Sequence, residues 1–415
     1  MKCRFIKKIT LPVILLLSMV TISFAGEAQN VKEAFAEGDV SGFFKTIWFQ
    51  RDYDDGANDW QSAAVGGVLS YETSPLKGFS MGVGFKTGQG GSELNSSSNE
   101  VYRGVLAMGD TKTDHESYTA LNEYFLKFEG WDTVAVVGAQ YLTTPWLKGH
   151  DVRLTPKTYQ GVSIINKSIE KLEFHGYYLW KWMDWASEEW ESMAQGITNN
   201  EGDDGDSIIG GILWRAPGDL QFELWDYYYT EVMNDIYLRG RYRKKYNDKF
   251  NITIDARYLN QRDVGDALDG SIDTYTTGAI GSLSCYGTTL SAYYGVNGSD
   301  AIRAPFGNHH VICMQYKKLD RGEEDAWALR LKYDFGHIGV KGLSAYVFYG
   351  SFDTPDSGDN ASPDIDEIDF DVQYKFGGIF KNLSLRLRYA IINGDEDVAG
   401  GKDWTDSRTY LTYRF

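Results

Sequence analysis

Apolar and polar residues alternate in short stretches along most of this chain, and this pattern constrains the fold more than any other feature. Three stretches show it clearly, at residues 79–86, 327–335 and 368–376. In the first, large apolar residues alternate with small or polar ones, in the order Phe79, Ser80, Met81, Gly82, Val83, Gly84, Phe85 and Lys86. Because successive side chains of a strand point to opposite sides of a sheet, each stretch predicts a strand with one apolar and one polar face.

The first 25 residues have the pattern of an export signal. A basic start precedes an apolar run at residues 9–24, and small residues stand at the minus-three and minus-one positions, Ser23 and Ala25. We therefore expect cleavage after Ala25. The chain would then comprise a signal peptide (1–25), a periplasmic N-terminal extension (26–39) and one domain (40–415), because nothing within the domain has the composition of a linker.

The composition excludes some classes of protein. Removing the signal takes away four basic residues and no acidic one, so the net charge falls from −17 to −21. So acidic a chain is not expected to bind nucleic acid, whose phosphates require Lys and Arg. Mean hydropathy is only −0.38 although aromatic residues make up 15% of the chain. After the signal, no apolar run is long enough for a membrane-spanning helix.

Alternating strands also occur in soluble β-sandwiches, which are the main alternative fold. Here the polar face is charged on many strands, whereas the other face carries large apolar side chains throughout, and the pattern continues unchanged to residue 415. Together with export, this favours an all-β fold, a transmembrane antiparallel β-barrel.

The number of strands follows from the connections. Nineteen alternating stretches can be drawn, at residues 40–53, 60–72, 78–86, 118–128, 133–141, 159–167, 172–184, 208–215, 220–229, 236–243, 250–260, 275–283, 288–296, 309–317, 327–335, 343–351, 368–376, 383–392 and 407–415. Single-chain bacterial barrels have even counts, with short periplasmic turns and longer outer loops. This alternation of lengths fails only near 309–317, so we assign that stretch to an outer loop and predict eighteen strands.

The positions of proline and tryptophan provide a check on the predicted strands and connections. The seven prolines after the signal all fall in predicted connections, where a residue without an N–H belongs. Five tryptophans fall at predicted strand ends, and we expect them to form an interfacial aromatic belt: Trp60, Trp131, Trp185, Trp214 and Trp404.

Motifs for catalysis or metal binding are weak. The run Gly78-Phe79-Ser80-Met81-Gly82 matches a hydrolase nucleophile elbow, but it lies inside an alternating stretch with no helical pattern after it. The six histidines lack zinc-site spacing, and no phosphate-binding glycine motif is present. We therefore predict no catalytic residue, metal or cofactor. Cys285 and Cys313 fall at opposite ends of the predicted barrel, so we expect no disulfide.

Spaced residues along the chain resemble the OprD-type outer-membrane porins, which take up specific small solutes. The sharpest similarity follows the fifth predicted strand, at Gly138, Gln140, Thr144, Pro145, Asp151, Arg153, Pro156, Tyr159 and Gly161. Two further parts resemble the family near the end, namely Trp327, Leu329, Tyr333, Asp334 and Phe335, and then Arg386, Arg388 and Arg408. The resemblance implies an eighteen-stranded barrel, an inward-folded third outer loop, and a ladder of basic side chains that guides carboxylates.

The alternation itself places two sets of arginines inside the barrel. A charge on the lipid face costs about 2–4 kcal/mol, so each basic residue opposite an apolar one is expected to face inwards. The first set is Arg330, Arg386, Arg388 and Arg408, and the second is Arg239, Arg241 and Arg243. Two interpretations stay open: they contact the solute, or they only pair with carboxylates such as Asp255, Asp369 and Asp371.

The third outer loop carries Asp151 and Arg153, which are the best candidates for a pore constriction. This loop is long and contains apolar residues that would be buried if it folded into the lumen, including Trp146, Leu147 and Leu154. The alternative is an outer loop packed on its neighbours. On the last strand, the alternating row Leu411, Tyr413 and Phe415 resembles the signal read by the barrel-assembly machinery.

The sequence therefore predicts an outer-membrane porin for passive, substrate-selective uptake of small solutes, with carboxylate-bearing solutes implied by the resemblance. The alternatives are a general diffusion porin and a barrel enzyme such as an outer-membrane phospholipase. Expected partners are the solutes, outer-membrane lipid and lipopolysaccharide, and the barrel-assembly machinery. Homotrimer and monomer both stay open.

Overall fold

The computed structural model describes residues 27–54, 58–90, 94–149, 152–247, 250–307 and 309–415. Within these ranges, eighteen long antiparallel strands form one sheet in which each strand pairs with its neighbours in sequence. The sheet closes because the first strand also pairs with the last, from Phe43 opposite Arg414 to Tyr53 opposite Trp404. A closed barrel has no free sheet edge, so strand pairing satisfies the backbone hydrogen bonds of a membrane-spanning wall.

The eighteen strands agree with the predicted map. They are β1 Asp39–Tyr53, β2 Trp60–Glu72, β3 Phe79–Gln89, β4 Tyr118–Gly130, β5 Thr133–Gln140, β6 Thr158–Asn166, β7 Leu172–Met183, β8 Ser207–Ala216, β9 Leu220–Tyr229, β10 Met233–Asn247, β11 Phe250–Asp263, β12 Asp273–Cys285, β13 Thr288–Asn297, β14 Asp325–Asp334, β15 Leu343–Asp353, β16 Ile365–Lys375, β17 Leu383–Gly394 and β18 Trp404–Arg414. The segment 309–317 forms no barrel strand, which confirms its assignment to a loop.

Few residues lie in other regular elements. The α-helices are α1 Val31–Ala36 and α2 Gln195–Thr198, and two short 3₁₀ helices span Phe335–Ile338 and Gly378–Phe380. A two-stranded hairpin pairs Ala107–Met108 with His115–Glu116, and the two-residue strand Glu191–Ser192 adds to the end of β7. Among the residues described, none of the helices is both long and apolar enough to cross a membrane.

The two faces of the wall differ as the alternation predicts. Outward side chains are apolar and exposed, as for Met81 (55%), Leu331 (52%) and Val372 (41%). Inward positions on the same sheet carry buried charged residues, including Asp369 and Arg408. An exposed apolar band that surrounds a polar interior is the arrangement of a barrel set in lipid.

The core of the protein lies inside the barrel, towards one end. Connections at the other end are short, such as residues 131–132 and 286–287, and by the usual arrangement these face the periplasm. The long outer loops 141–157 and 298–324 contribute Leu147 and Phe306 to an apolar cluster with residues of the wall. The outer end of the lumen is therefore narrowed by packed loops.

The expected tryptophan belt is only partly correct. Trp131 (86%) and Trp214 (44%) are exposed on the outside. The other three contact lumen and loop groups instead: Trp60 lies 4.9 Å from the Arg51 guanidinium, Trp185 4.2 Å from the Lys157 ammonium, and Trp404 4.8 Å from the Tyr316 ring. The prediction that these three tryptophans lie in the interfacial belt was wrong. The inward loops provide a buried surface for them, which the spacing of the strands in the sequence does not reveal.

Candidate functional site

The described parts of the third outer loop, residues 141–149 and 152–157, lie across the lumen. The Lys45 ammonium on β1 donates to the carbonyl of Arg153 (2.7 Å), and the Tyr410 hydroxyl on β18 donates to the carbonyl of Val152 (3.3 Å). At its other end, the N–H of Trp146 donates to the Tyr227 hydroxyl on β9 (3.2 Å). Since β9 and β18 are nine strands apart in a ring of eighteen, the loop spans the barrel.

Arg153 lies where this loop meets β1 and β18. Its guanidinium is within 5.6 Å of the ring centres of Phe49, Tyr102 and Trp185, and its Nε donates to the carbonyl of Arg103 (2.9 Å). Burial lowers the pKa of Arg153 to about 10, and the neighbouring Arg408 acts in the same direction, so the group stays charged at neutral pH. Its predicted partner in the constriction, Asp151, lies outside the described residues.

The seventh outer loop, residues 298–324, also folds inwards, which the sequence did not predict. It meets the third loop where the N–H of Lys148 donates to the carbonyl of Phe306 (3.0 Å). Its tip reaches β16, where the N–H of Gln315 donates to Asp369 (2.9 Å) and the N–H of Lys317 donates to Glu367 (2.6 Å). Inward carboxylates on the wall therefore hold this loop by its backbone.

One set of inward arginines, on β17, β18 and β1, is tied to carboxylates. Asp371 accepts from Arg386 (2.7 Å) and lies 3.1 Å from Arg388. In the same way, Asp406 pairs with Arg408 (2.7 Å) and with Arg51 (2.9 Å). The guanidiniums of the last two strands thus lie in the lumen as part of an ion-pair network.

A second network surrounds Asp255 on β11. Arg239, Arg241 and Arg257 all bind this carboxylate, at 2.5, 3.1 and 3.1 Å. Arg239 also pairs with Glu223 on β9 at 3.0 Å. Asp255 is thus the centre of a cluster in which positive charge exceeds negative charge.

A cavity of about 420 Å³ opens beside this cluster, between the wall and the two inward loops. We call it the basic cavity, and its charged lining residues are Lys148, Arg241, Arg243, Asp255, Arg257 and Arg330. Burial lowers the pKa of Lys148 to about 8, with Arg257 acting in the same direction. Burial and Arg257 also hold the pKa of the lining residue His309 well below its usual range, so this imidazole is neutral at neutral pH.

Arg330 differs from Arg241 and Arg257 of the same cavity, which both pair with Asp255. Among the described residues it forms no ion pair with a carboxylate; its guanidinium instead lies 5.5 Å from the Tyr293 ring, 5.6 Å from Phe348 and 5.9 Å from Tyr346. Aromatic faces attract a cation and hold it in place without neutralising its charge. Arg330 therefore presents a positioned, uncompensated guanidinium to the cavity.

Comparison with known proteins identifies the family. The family model described as "outer membrane porin, OprD family" matches residues 33–415. The chain belongs to the OprD family of outer-membrane porins. It is thus a barrel protein of the bacterial outer membrane, and the predicted family and fold are confirmed.

Solved structures agree with this fold. OccK9 (OpdG) of Pseudomonas aeruginosa has a TM-score of 0.83 at 22% identity, and OccAB3 of Acinetobacter baumannii has 0.81 at 19%. OpdK of Pseudomonas aeruginosa, solved with vanillate, has 0.79 at 18%. Each comparison covers 92% of this porin and 99% of the other chain. No curated protein matches this chain.

The structure of this OprD-family porin rearranges the predicted site residues. Arg330 shares the basic cavity with Arg241 and Arg243, whereas the other predicted ladder residues, Arg386, Arg388 and Arg408, are not among its lining residues. The sequence analysis missed Lys148 and Arg257. Arg257 alternates with outward Ala256 and Tyr258, so its inward position was available from the pattern, but the contribution of Lys148 depends on the fold of the third loop.

Other sequence predictions concern groups away from the cavity. Ser80 of the elbow-like motif lies within β3 and donates to Glu72 (2.8 Å), which is incompatible with a strand–turn–helix elbow. Among the described residues, neither Cys285 nor Cys313 forms a disulfide. On β18, Leu411 and Tyr413 face outwards and are 40% and 43% exposed, and the Phe415 ring lies 5.5 Å from Phe44.

Proposed function

We propose that this porin is a passive, substrate-selective channel for small carboxylate-bearing solutes. The observation that carries the proposal is the basic cavity, where five basic side chains and one carboxylate line a space between the wall and the inward loops. The whole chain is strongly acidic, with a net charge of −17, so the cavity is a local reversal of sign. Such a reversal at a narrow part of a pore attracts anions.

The chemistry of arginine favours carboxylates in particular. A guanidinium presents donors in a planar fork that matches the two oxygens of a carboxylate, and charge-assisted bonds of this kind are among the strongest hydrogen bonds in proteins. Among the described residues Arg330 pairs with no carboxylate, and aromatic rings hold its guanidinium, so it is our main candidate for contact with the solute. OpdK, a similar fold, was solved with vanillate, which is itself a carboxylate.

We assign supporting roles to the other predicted residues. Arg386, Arg388 and Arg408 would continue the positive path along the wall, although their pairing with Asp371 and Asp406 weakens their contact with solutes. Arg153, with the predicted Asp151, would set the bore at the third loop. We assign transport and not catalysis, as is usual for a family of channels.

We also propose how the protein reaches and occupies the membrane. Residues 1–25 would direct export, and the outward row Leu411, Tyr413 and Phe415 would be read by the barrel-assembly machinery. The exposed apolar band would contact outer-membrane lipid and lipopolysaccharide.

The test is single-channel conductance and reversal potential in a planar bilayer under a salt gradient. We expect discrete conductance and anion preference, and a shift towards cations in the variant with both Arg386→Ala and Arg388→Ala, which leaves Asp371 uncompensated. A matched variant, Arg388→Gln with Asp371→Asn, keeps the local net charge and should retain the wild-type reversal potential. Conductance without ion preference would favour a general diffusion porin, and folded protein without conductance would overturn the channel proposal.

A further inference from the structure

Two arginines stand at the ends of one row of paired residues that crosses five neighbouring strands. Arg243 on β10 pairs with Thr253 on β11, and Thr253 pairs with Ser282 on β12. Ser282 then pairs with Ser291 on β13, which pairs with Arg330 on β14. Directly paired residues point to the same face of a sheet, so three hydroxyl groups lie between two inward arginines.

Arg243 and Arg330 differ in charge compensation from the other arginines around the cavity. Asp255 binds Arg239, Arg241 and Arg257, so each of these three has a carboxylate partner. In the part of the chain that the structure describes, neither Arg243 nor Arg330 forms such a pair. Arg243 and Arg330 are therefore two separated guanidiniums of the basic cavity that no carboxylate compensates.

The surface between these positions carries no net charge. Ser282 lines the cavity and bonds through its hydroxyl to that of Ser291 (2.8 Å), and the other lining residues on β12 and β13 are Ile280 and Tyr293. Neighbouring strands lie about 4.8 Å apart, so the backbones of Arg243 and Arg330 are roughly 19 Å apart along the wall. Two long side chains that incline towards the cavity leave a gap that one small molecule can span.

We propose that Arg243 and Arg330 form a two-ended site for a small dicarboxylate, with one carboxylate at each guanidinium. The spacer would lie over the Ser282 hydroxyl and the Tyr293 ring. This inference rests on the proposed carboxylate channel and narrows its substrate class. A monocarboxylate can occupy only one end at a time, whereas a dicarboxylate of the right length gains a second charge-assisted contact without the entropy loss of a second association.

The experiment measures block of single-channel current by a series of unbranched dicarboxylates with increasing spacer length. Each dicarboxylate is compared with the monocarboxylate of equal chain length. A second charge-assisted bond predicts block at concentrations lower by about tenfold or more, with an optimum at one spacer length. The series uses the unmodified protein, so it gives a result even if a variant fails to assemble.

Variants then locate the two ends. Arg243→Gln and Arg330→Gln should each reduce block by the best dicarboxylate to the level of its monocarboxylate. Arg262→Gln is the matched control, because Arg262 lies on β11 but is 68% exposed and is not part of the cavity. It should leave the dicarboxylate preference unchanged.

The outcomes separate this inference from the proposed function. Equal block by mono- and dicarboxylates, or a preference that does not depend on spacer length, would overturn the two-ended site while leaving a carboxylate channel. No block by any carboxylate in a conducting channel would contradict both.

Discussion

The ammonium of Lys45 donates a hydrogen bond of 2.7 Å to the backbone carbonyl of Arg153, and this bond ties the first strand to the third loop inside the lumen. Lys45 is 2% exposed, so no water competes freely for its place. A hydrogen bond from a charged donor contributes about 1.5–3 kcal/mol, which is enough to hold a loop in one position. We expect Lys45→Met to fold normally but to show larger current fluctuations between conductance levels.

Single-channel recordings with Lys341→Met as the control check this expectation. Lys341 is exposed in a turn at the end of the barrel opposite the outer loops. The Lys341→Met variant should therefore behave as the wild type. Quiet, wild-type currents from Lys45→Met would show that other contacts of the third loop are sufficient to hold it.

The barrel itself could be predicted because its strands obey a local rule. Each wall residue faces either lipid or lumen, and the alternation of apolar and polar residues in the sequence indicates which. The last strand was expected at 407–415 and is observed at Trp404–Arg414, a shift of a few residues that changes no side chain from one face to the other.

The loops could not be predicted in the same way. Connection lengths placed residues 309–317 in a loop, but they did not show that this loop folds inwards, where it is held by Asp369, 54 residues from Gln315 in sequence. Likewise, the basic cavity forms because Lys148 of the third loop lines the same space as Arg330 of β14. Tertiary packing determines which residues distant in sequence come together, and the alternation of apolar and polar residues does not predict this.

Asp255 should be important for stability because three arginines share its carboxylate. Asp255→Asn leaves their positive charges without a partner, and loss of one member of a buried ion-pair group costs on the order of 3 kcal/mol. We expect a lower free energy of unfolding in urea together with stronger anion preference. Asp219→Asn is the control, since its pair with Lys244 is exposed and long at 3.9 Å and should contribute little. Equal stability of both variants would contradict a structural role for Asp255.

The tip of the seventh loop should narrow the pore. The N–H of Leu319 donates to the carbonyl of Ile312 (3.2 Å), so residues 313–318 can be replaced by a two-glycine turn with little strain on the remaining loop. We expect this deletion to raise single-channel conductance, because the tip lies against β16 within the lumen. An unchanged conductance would place the narrowest part of the pore elsewhere, at the third loop.

The pH dependence of ion selectivity should report on Lys148. Burial lowers its pKa from 10.5 to about 8, so the side chain is mostly charged at pH 7 and loses its charge as the pH rises through 8. Anion preference of the wild type should therefore fall between pH 7 and pH 9. Lys148→Met should have weaker anion preference at pH 7 and a smaller fall over the same range.

Lys157 provides the control for this measurement, because burial also lowers its pKa to about 8 but it pairs with Asp184 (3.4 Å) and does not line the cavity. Lys157→Met should keep the pH-dependent fall. If Lys148→Met and the wild type lose anion preference in parallel, the titrating charge that solutes sense lies outside the basic cavity. If only Lys148→Met loses the dependence, permeating anions pass close to the third loop beside Arg257, and the cavity lies on their path.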